Sequence, residues 1–194
     1  MNKIKLIAII GRSASGKDSL VQATLNAHPN LHKITHYTTR PPRPNEINGV
    51  DYFFISEEEM NSLKNSMFFT TCFNNWYYAI GRNSFDKNKI NIGVFNPIEL
   101  KYLIDFYPNS FELHIIETRA TEEDRCYRSL QRLDSLFDKE GLMEMCRRNQ
   151  ADEIDFKNIE DIPRKILSTS YYEVKDKYNS AYMDGVIDTL DGLV

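Results

Sequence analysis

Continuous apolar runs alternate with amphipathic segments over much of the chain. Residues Ile4–Ile10 are almost uninterruptedly apolar, which predicts a strand buried on both faces of a parallel sheet. Residues Lys17–Ala27 carry apolar side chains at helical spacing, which predicts a helix soon after that strand. Similar apolar runs predict strands at Ile90–Phe95 and Phe111–Glu117. Strands separated by helices favour an α/β fold with a parallel, three-layered core.

Helix signals occupy most of the second half of the chain. Pro97 is suited to the first turn of a helix, and Thr121 precedes three acidic residues and an arginine-rich helical stretch. The predicted helices here are 97–105, the stretch from Thr121, 140–156 and 163–178. Residues Gly185–Leu190 are predicted to form a last strand.

Short extended segments replace this alternation between residues 35 and 84. Ser56 and Glu59 form a capping-box pattern, which predicts a helix to about Lys64. Asn74 and Asn75 suit a tight turn between two apolar strands. The predicted strands are 34–39, 53–55, 68–73 and 76–80. We interpret residues 35–84 as an inserted antiparallel lobe.

Length and charge limit the classes of function. A chain of 194 residues fits one α/β domain with small insertions, and 24 basic against 28 acidic side chains favour neither nucleic acid nor an anionic membrane as a partner. The apolar start is too short for a signal or a membrane span, so we expect a cytoplasmic protein. Cys72, Cys126 and Cys146 lack metal or disulfide spacing and are interpreted as reduced packing residues. The sequence does not indicate an oligomeric state.

A glycine-rich loop follows the first predicted strand and precedes the first predicted helix. Its glycines allow backbone N–H groups to approach phosphate oxygens, and its lysine supplies a mobile charge for the β and γ phosphates. We therefore predict an ATP site with Lys17 as a catalytic residue. The predicted ATP-binding residues are Gly11, Arg12, Ser13, Ala14, Ser15, Gly16, Lys17, Asp18 and Ser19.

The residue after the lysine is Asp18, where the usual loop pattern has the serine or threonine that contacts Mg²⁺. Ser19 and Asp18 are the candidate Mg²⁺ ligands. A carboxylate at a helix start is also favoured by the helix dipole alone, so Asp18 has a purely structural alternative.

Arg40 and Arg43 lie in a proline-rich segment twenty residues after the loop. Guanidinium groups bind phosphate through two parallel hydrogen bonds, and prolines stiffen the segment that presents them. Together with Tyr52, these residues predict a second phosphate site and hence a nucleoside monophosphate kinase.

The segment from Thr38 to Phe54 closely resembles the signature of guanylate kinases, and a looser resemblance extends from the loop to Ala151. The resemblance implies a P-loop NTP hydrolase fold with a core (about 1–34, 85–124 and 157–194), a monophosphate-binding lobe (35–84) and a helical lid (125–156). It also implies transfer of a phosphoryl group from ATP to GMP or dGMP, with Mg²⁺ as cofactor.

The resemblance also assigns roles to individual side chains. Arg40, Arg43, Tyr52 and Tyr78 would hold the acceptor phosphate, and Glu46 would help to orient the loop or the nucleotide. His36, which departs from the family pattern, is a further candidate for contact with the phosphate or base and has a structural alternative as a hydrogen-bonding histidine. The lid would supply Arg128, Arg132 and Arg148 as catalytic residues. Arg125 and Arg147 match the family less well and are interpreted as solvated helix charges.

Several positions depart from the family pattern. His36 stands where the family has a serine, and Ile80 where a hydroxyl residue is usual. The acidic residue expected near Phe69 and Thr70 is absent, and the segment 90–97 lacks the two aspartates of the family, with Asn96 as the nearest polar substitute. These departures leave open a different monophosphate acceptor, a catalytically silent module that binds nucleotides or phosphate, and a P-loop kinase for another small metabolite.

Overall fold

The apolar run at the start of the chain forms the central strand of the larger sheet. The computed structural model describes residues 3–43, 46–73, 75–133 and 138–169. Its strands are β1 (Ile4–Ile10), β2 (His32–Lys33), β3 (His36–Thr38), β4 (Tyr52–Phe54), β5 (Met67–Phe73), β6 (Trp76–Gly81), β7 (Asn91–Val94), β8 (Phe111–Arg119) and β9 (Lys165–Ser168). Its helices are α1 (Lys17–Ala27), α2 (Glu57–Ser62), α3 (Pro97–Phe106), α4 (Glu122–Leu130) and α5 (Lys139–Asp155).

The core sheet has the order β2-β7-β1-β8-β9, and all its strands run parallel. Successive side chains of β1 enter opposite layers, as expected for a strand covered on both faces. Ile7 and Ile9 pack in one apolar cluster with Leu20 of α1, whereas Leu6 and Ala8 belong to a second cluster that includes α3. The predicted three-layered α/β core is confirmed.

The smaller sheet has the order β4-β3-β6-β5. Strands β5 and β6 form the predicted hairpin, with Asn75 in a left-handed conformation (φ 62°), and β6 pairs antiparallel with β3. The prediction of an entirely antiparallel lobe is wrong, because β4 runs parallel to β3. The loop between these two strands returns to the starting end of β3 before β4 begins.

The prediction of a helix from Pro163 is also wrong. Residues Lys165–Ser168 form β9, the edge strand that pairs with β8. The buried guanidinium of Arg164 fixes the start of this strand, because its Nε donates to Glu117 of β8 at 2.5 Å and its Nη1 donates to the carbonyl of Ile159. The remainder of that predicted helix and the predicted strand 185–190 lie outside the described residues.

The interpretation of the cysteines as packing residues fails at two positions. Cys72 and Cys146 are exposed and Cys126 is half-buried; all three thiols are free. Cys72 lies on the outer face of β5, where alternation along the strand directs it to solvent. Within the described ranges, no helix is both long and apolar enough to cross a bilayer.

Candidate functional site

The loop between β1 and α1 has the backbone geometry of an anion-binding cradle. Ala14 and Gly16 both have positive φ (60° and 94°), and left-handed residues of this kind turn successive N–H groups towards one point. At Gly11 a Cβ atom would lie 2.3 Å from Oγ1 of Thr118 and 2.4 Å from Oγ of Ser15. Glycine is therefore required at position 11 by the close approach of the loop to β8.

Lys17 begins α1 and curls back over the loop. Its Nζ donates to the carbonyl oxygens of Gly11 (2.7 Å) and Arg12 (3.0 Å). Burial lowers the pKa of Lys17, and the nearby charges of Arg132 and Arg148 act in the same direction. The charges of Asp18 and Asp152 act against this shift, so the ammonium group lies among two carboxylates and two guanidinium groups.

An acidic side chain from α5 contacts the same loop. Oδ2 of Asp152 accepts a hydrogen bond from the backbone N–H of Ser13 at 2.7 Å, and Oγ of Ser13 lies 3.3 Å from Oδ1. The same carboxylate forms an ion pair with Arg125 at 3.5 Å, and both side chains are largely buried. The interpretation of Arg125 as a solvated charge is wrong.

Arg128 lies on the other side of the loop and holds its backbone. Its guanidinium donates to the carbonyl oxygens of Ala14 (3.2 Å) and Thr169. Oγ1 of Thr169 in turn donates to the carbonyl of Ser15 at 2.7 Å. The structure thus places Arg128 behind the loop.

A cavity of about 340 Å³ opens in front of the loop and extends to the lobe sheet. It is bounded by the loop, by the sheet face of β3 to β6, by the start of α3 and by α5. The site residues predicted from the sequence that line this cavity are Gly11, Ser13, Lys17, His36, Arg43, Tyr52, Tyr78 and Arg148. A larger cavity of about 420 Å³ lies beside Glu117 and Arg119. We place the candidate site in the first cavity, because Lys17, the two tyrosines and two predicted arginines meet there.

Arg40 is buried beside the cavity and is held by Glu46. Both Nη atoms of Arg40 donate to the Glu46 carboxylate at 2.9 Å, and the backbone N–H of Arg43 donates to it at 2.7 Å. Burial alone would raise the pKa of Glu46, but these bonds hold it below its ordinary value. Glu46 therefore organises the loop that presents both arginines, as the resemblance implies.

One carboxylate on α5 gathers three arginines at the cavity. Glu144 accepts from Arg43 at 3.0 Å, from Arg148 at 2.9 Å and from Arg147 at 2.5 Å. Chiefly through the bond from Arg147, the pKa of Glu144 falls to about 2. Arg147 is half-buried over the ring of Phe73, so the interpretation of it as a solvated charge is also wrong. Such a cluster of guanidinium groups is suited to a phosphate.

Aromatic side chains complete the lobe side of the cavity. The rings of Tyr52 and Tyr78 meet edge to face at 6.3 Å, and burial raises the pKa of Tyr52. His36 packs edge to face on Phe95 at 5.0 Å. Its Nε2 is buried and has no hydrogen-bond partner among the described residues, and burial lowers its pKa to about 4, so the imidazole is neutral at pH 7.

Three further polar side chains line the cavity where α3 begins. Asn96 caps the helix, and Nδ2 of Asn96 donates to Asp155 of α5 at 2.6 Å. Glu99 accepts from the backbone N–H of Asn96 at 2.8 Å and is buried. Burial and the neighbouring Asp155 raise the pKa of Glu99 to about 7.

Asp18 and Ser19 are exposed in the first turn of α1. The described residues contain no group of three or more acidic, histidine or cysteine side chains arranged to hold a metal. Mg²⁺ commonly uses one or two carboxylates with water and substrate phosphates, so the oxygen donors of Asp18 and Ser19 fit that ion chemically. Arg132 is also exposed, at the end of α4.

Sequence reasoning missed several residues that shape this site. Glu144, Asp152 and Asp155 all lie on α5, at spacings of eight and three residues that place them on one side of the helix. Their positions on a predicted helix were readable, but their contacts with the loop and with Asn96 join residues far apart in the chain. Glu99 carried a local signal, because it stands three residues after the capping Asn96.

Comparison with known proteins gives one consistent result. The family model of guanylate kinase matches residues 3–89. The guanylate kinase of Rubrobacter xylanophilus is 48% identical over 59 residues, 30% of this chain and 31% of that protein. The guanylate kinase of Wigglesworthia glossinidia brevipalpis is 33% identical over 125 residues, 60% of each chain. The chain spans about a third of the length of the first curated relatives that it matches.

The fold agrees with a solved structure over almost the whole chain. The crystal structure of guanylate kinase from Anaplasma phagocytophilum superposes with a TM-score of 0.61 at 15% identity, covering 99% of this chain and 87% of that one. At this identity the likeness concerns the fold.

Proposed function

We propose that the chain is a member of the guanylate kinase family and that it transfers the γ-phosphate of ATP to GMP or dGMP. One observation carries the proposal. The phosphate-loop lysine, Lys17, and the arginines Arg43 and Arg148 line the same cavity as Tyr52 and Tyr78. A kinase needs its donor and acceptor phosphates side by side, because most of its catalysis is positioning and neutralisation of charge.

The donor phosphates would lie in the cradle of residues 11–19. Backbone N–H groups there would bind the phosphate oxygens, and Nζ of Lys17 would leave the carbonyls of Gly11 and Arg12 to contact the β and γ phosphates. Arg148, and Arg132 if α4 moves inward, would stabilise the charge on the transferring group. Arg128, as placed, supports the loop backbone.

The acceptor phosphate would lie between Arg43, Tyr52 and Tyr78. The exposed guanidinium of Arg43 would exchange its bond to Glu144 for the phosphate. Arg40 would act partly through the Glu46 pair that shapes this segment. Mg²⁺, held by Asp18 or Ser19 together with the phosphates, would neutralise charge between the β and γ groups when bound.

Two observations favour the alternative of a silent binding module. Residues 91–95, which comprise β7 and the residue after it, carry no carboxylate, and Asp152 already accepts from a phosphate-loop N–H group. The phosphate loop argues against a silent module, because it retains its glycines, its lysine and its cradle geometry.

The three free thiols support our further proposal that the protein is cytoplasmic.

The deciding experiment measures Mg²⁺-dependent ADP formation from ATP with GMP, dGMP, AMP, CMP, UMP and dTMP in turn, with Lys17→Ala as the blank. Turnover with GMP or dGMP supports the proposal. Turnover only with another monophosphate establishes a different acceptor. Nucleotide binding without any turnover by folded protein establishes the silent module.

A further inference from the structure

A second cavity adjoins the phosphate loop at Arg12 and Ser15. It encloses about 420 Å³, a volume within the range of small-molecule sites. Its other walls come from the end of β8 and the residues after it, from the start of α4, and from the end of α5 and the turn that follows. Phe156 is the one described residue that lines both this cavity and the candidate site, so the two are separate spaces.

Arg125 of α4 is the buried cation of the second cavity. Its side chain is only 10% exposed, and its one hydrogen-bond partner among the described residues is Asp152, whose Oδ2 lies 3.5 Å from Nη1. A guanidinium group carries five N–H donors, and a buried donor that has no acceptor costs free energy. Arg125 therefore has donors to offer to an acceptor in the cavity.

Two further features make the cavity suited to negative charge. Arg12 and Arg119 line it with partly exposed guanidinium groups. The cavity also reaches the N-terminus of α4 at Ala120 and Glu122, where the helix dipole favours an anion. Together with the buried donors of Arg125, these features favour a ligand that carries an anionic acceptor.

The carboxylates around the cavity limit how much negative charge such a ligand can carry. Glu122 lies exposed at the start of α4, and the other lining carboxylates already bond to arginines. Because these groups nearly offset the charge of the arginines, the cavity favours a single negative charge over a polyphosphate. The pairs are Glu117 with Arg119 and Arg164, Glu153 with Arg12, and Glu160 with Arg164.

One wall of the cavity is apolar. Phe156 and Ile159 are buried core residues that line it. The guanidinium of Arg12 lies 5.4 Å from the centre of the Phe156 ring. This wall would accept the apolar body of a ligand whose charged end reaches Arg125.

We propose that the second cavity binds a small organic carboxylate, which accepts two parallel hydrogen bonds from Arg125 and packs its apolar body on Phe156 and Ile159. The site would be regulatory, because Arg125 also neutralises Asp152, which accepts from the N–H of Ser13. A bound carboxylate that shares the charge of Arg125 leaves Asp152 less neutralised beside the phosphate loop. The carboxylate and ATP should therefore weaken each other's binding, a coupling that rests on the proposed ATP site.

The test measures binding of benzoate by ligand-observed NMR, with the uncharged benzamide as the comparison. We expect benzoate to bind saturably and benzamide to bind about tenfold more weakly. Arg125→Lys should weaken benzoate binding about tenfold as well, because lysine keeps the charge beside Asp152 but loses the two parallel donors. Saturating benzoate should raise the Kd for ATP about fivefold and then no further, whereas direct competition for the phosphate loop would raise it without limit.

A second variant, Ala120→Trp, tests the cavity without altering the pair of Arg125 and Asp152. Ala120 is half-buried and lines the cavity, so an indole ring there should abolish benzoate binding while the melting temperature stays near that of the wild type. The matched control is Arg82→Lys, which makes the same exchange at an exposed arginine outside both cavities. It should bind benzoate as the wild type does.

Three results would overturn the proposal: no saturable binding of benzoate to the folded wild type, equal binding by the wild type, Arg125→Lys and Ala120→Trp, or an unlimited rise of the Kd for ATP. If the wild type binds no ATP, the proposed function fails. The benzoate titrations then still decide whether the carboxylate site exists, because they require neither ATP nor phosphoryl transfer.

Discussion

The backbone N–H of Ser13 donates a 2.7 Å hydrogen bond to Oδ2 of Asp152, which joins the phosphate loop to α5. The acceptor in this bond is an anionic oxygen, and it uses a donor from the loop that we propose binds phosphate. The charge of Asp152 also acts on Lys17. Helix α5 therefore brings a negative charge to the place where the γ-phosphate of ATP is expected.

Replacing Asp152 with asparagine should strengthen ATP binding. The substitution removes a like charge beside the triphosphate, and we expect the dissociation constant for ATP to fall several-fold at low ionic strength. The amide oxygen can still face Arg125. Titration calorimetry with ATP measures the effect, and ADP, which lacks the γ group, should respond less.

The control for Asp152→Asn is Glu140→Gln, which also removes one negative charge from α5 but at the exposed start of the helix. That variant should bind ATP as the wild type does. If Asp152→Asn instead weakens ATP binding while its melting temperature is unchanged, Asp152 assists the donor site and our interpretation of the charge is wrong.

Glu46→Ala should destabilise the protein. It leaves the buried guanidinium of Arg40 without its two bonds, which should lower the free energy of unfolding by about 1–3 kcal/mol. Because the pKa of Glu46 is lowered on folding, this stabilisation is present above its ordinary pKa of 4.5 and is lost as the pH falls through the lower folded value. Urea denaturation of both proteins at neutral and acidic pH measures the difference, which should shrink in acid.

The exposed Glu57 of α2 provides the comparison for Glu46. Glu57→Ala should change the free energy of unfolding by less than about 0.5 kcal/mol. Equal losses for the two variants would show that the Arg40 pair contributes nothing specific.

Glu99 should make the protein less stable as the pH rises. Its folded pKa of about 7 lies above the ordinary 4.5, so the folded state binds a proton more tightly than the unfolded state does. The corresponding stability is present below pH 4.5 and is lost as the pH rises through 7, with a limit of about 3 kcal/mol at 1.36 kcal/mol per pKa unit. The charged or titrating groups facing it are Asp155 and Tyr52.

Thermal unfolding of Glu99→Gln across this pH range isolates the contribution. The variant should be less dependent on pH than the wild type, and its relative stability should increase from pH 5 to pH 8. Parallel pH profiles for the two proteins would show that the carboxyl group ionises normally in the folded state.

Thr169→Val should loosen the phosphate loop. Valine keeps the shape of the side chain but removes the hydroxyl that donates to the carbonyl of Ser15. The loss of this bond should lower the free energy of unfolding by about 1–2 kcal/mol. The KM for ATP should rise, because a loop that is less fixed loses more freedom on binding. The control is Thr70→Val, at an exposed position of β5, which should leave the free energy of unfolding and the KM for ATP unchanged.

The strongest sequence predictions came from signals contained in one short segment. The apolar run of β1, the glycines and lysine of the loop, and the capping box of α2 each depend on neighbouring residues, and each was found in place. The helix expected from Pro163 failed because strand pairing with β8 is a contact between distant segments. Arg125 was misjudged for the same reason, since its partner Asp152 lies 27 residues away.

The phosphate loop is synthesised early, but its backbone is held by residues that are synthesised late. The carbonyl of Ser15 is bound by Thr169, which follows it by 154 residues, and the carbonyl of Ala14 is bound by Arg128. On the ribosome, the nascent chain therefore carries an incomplete nucleotide site until β9 has emerged. Any folding assistance that ATP gives this protein should act after translation has passed residue 169 and not before.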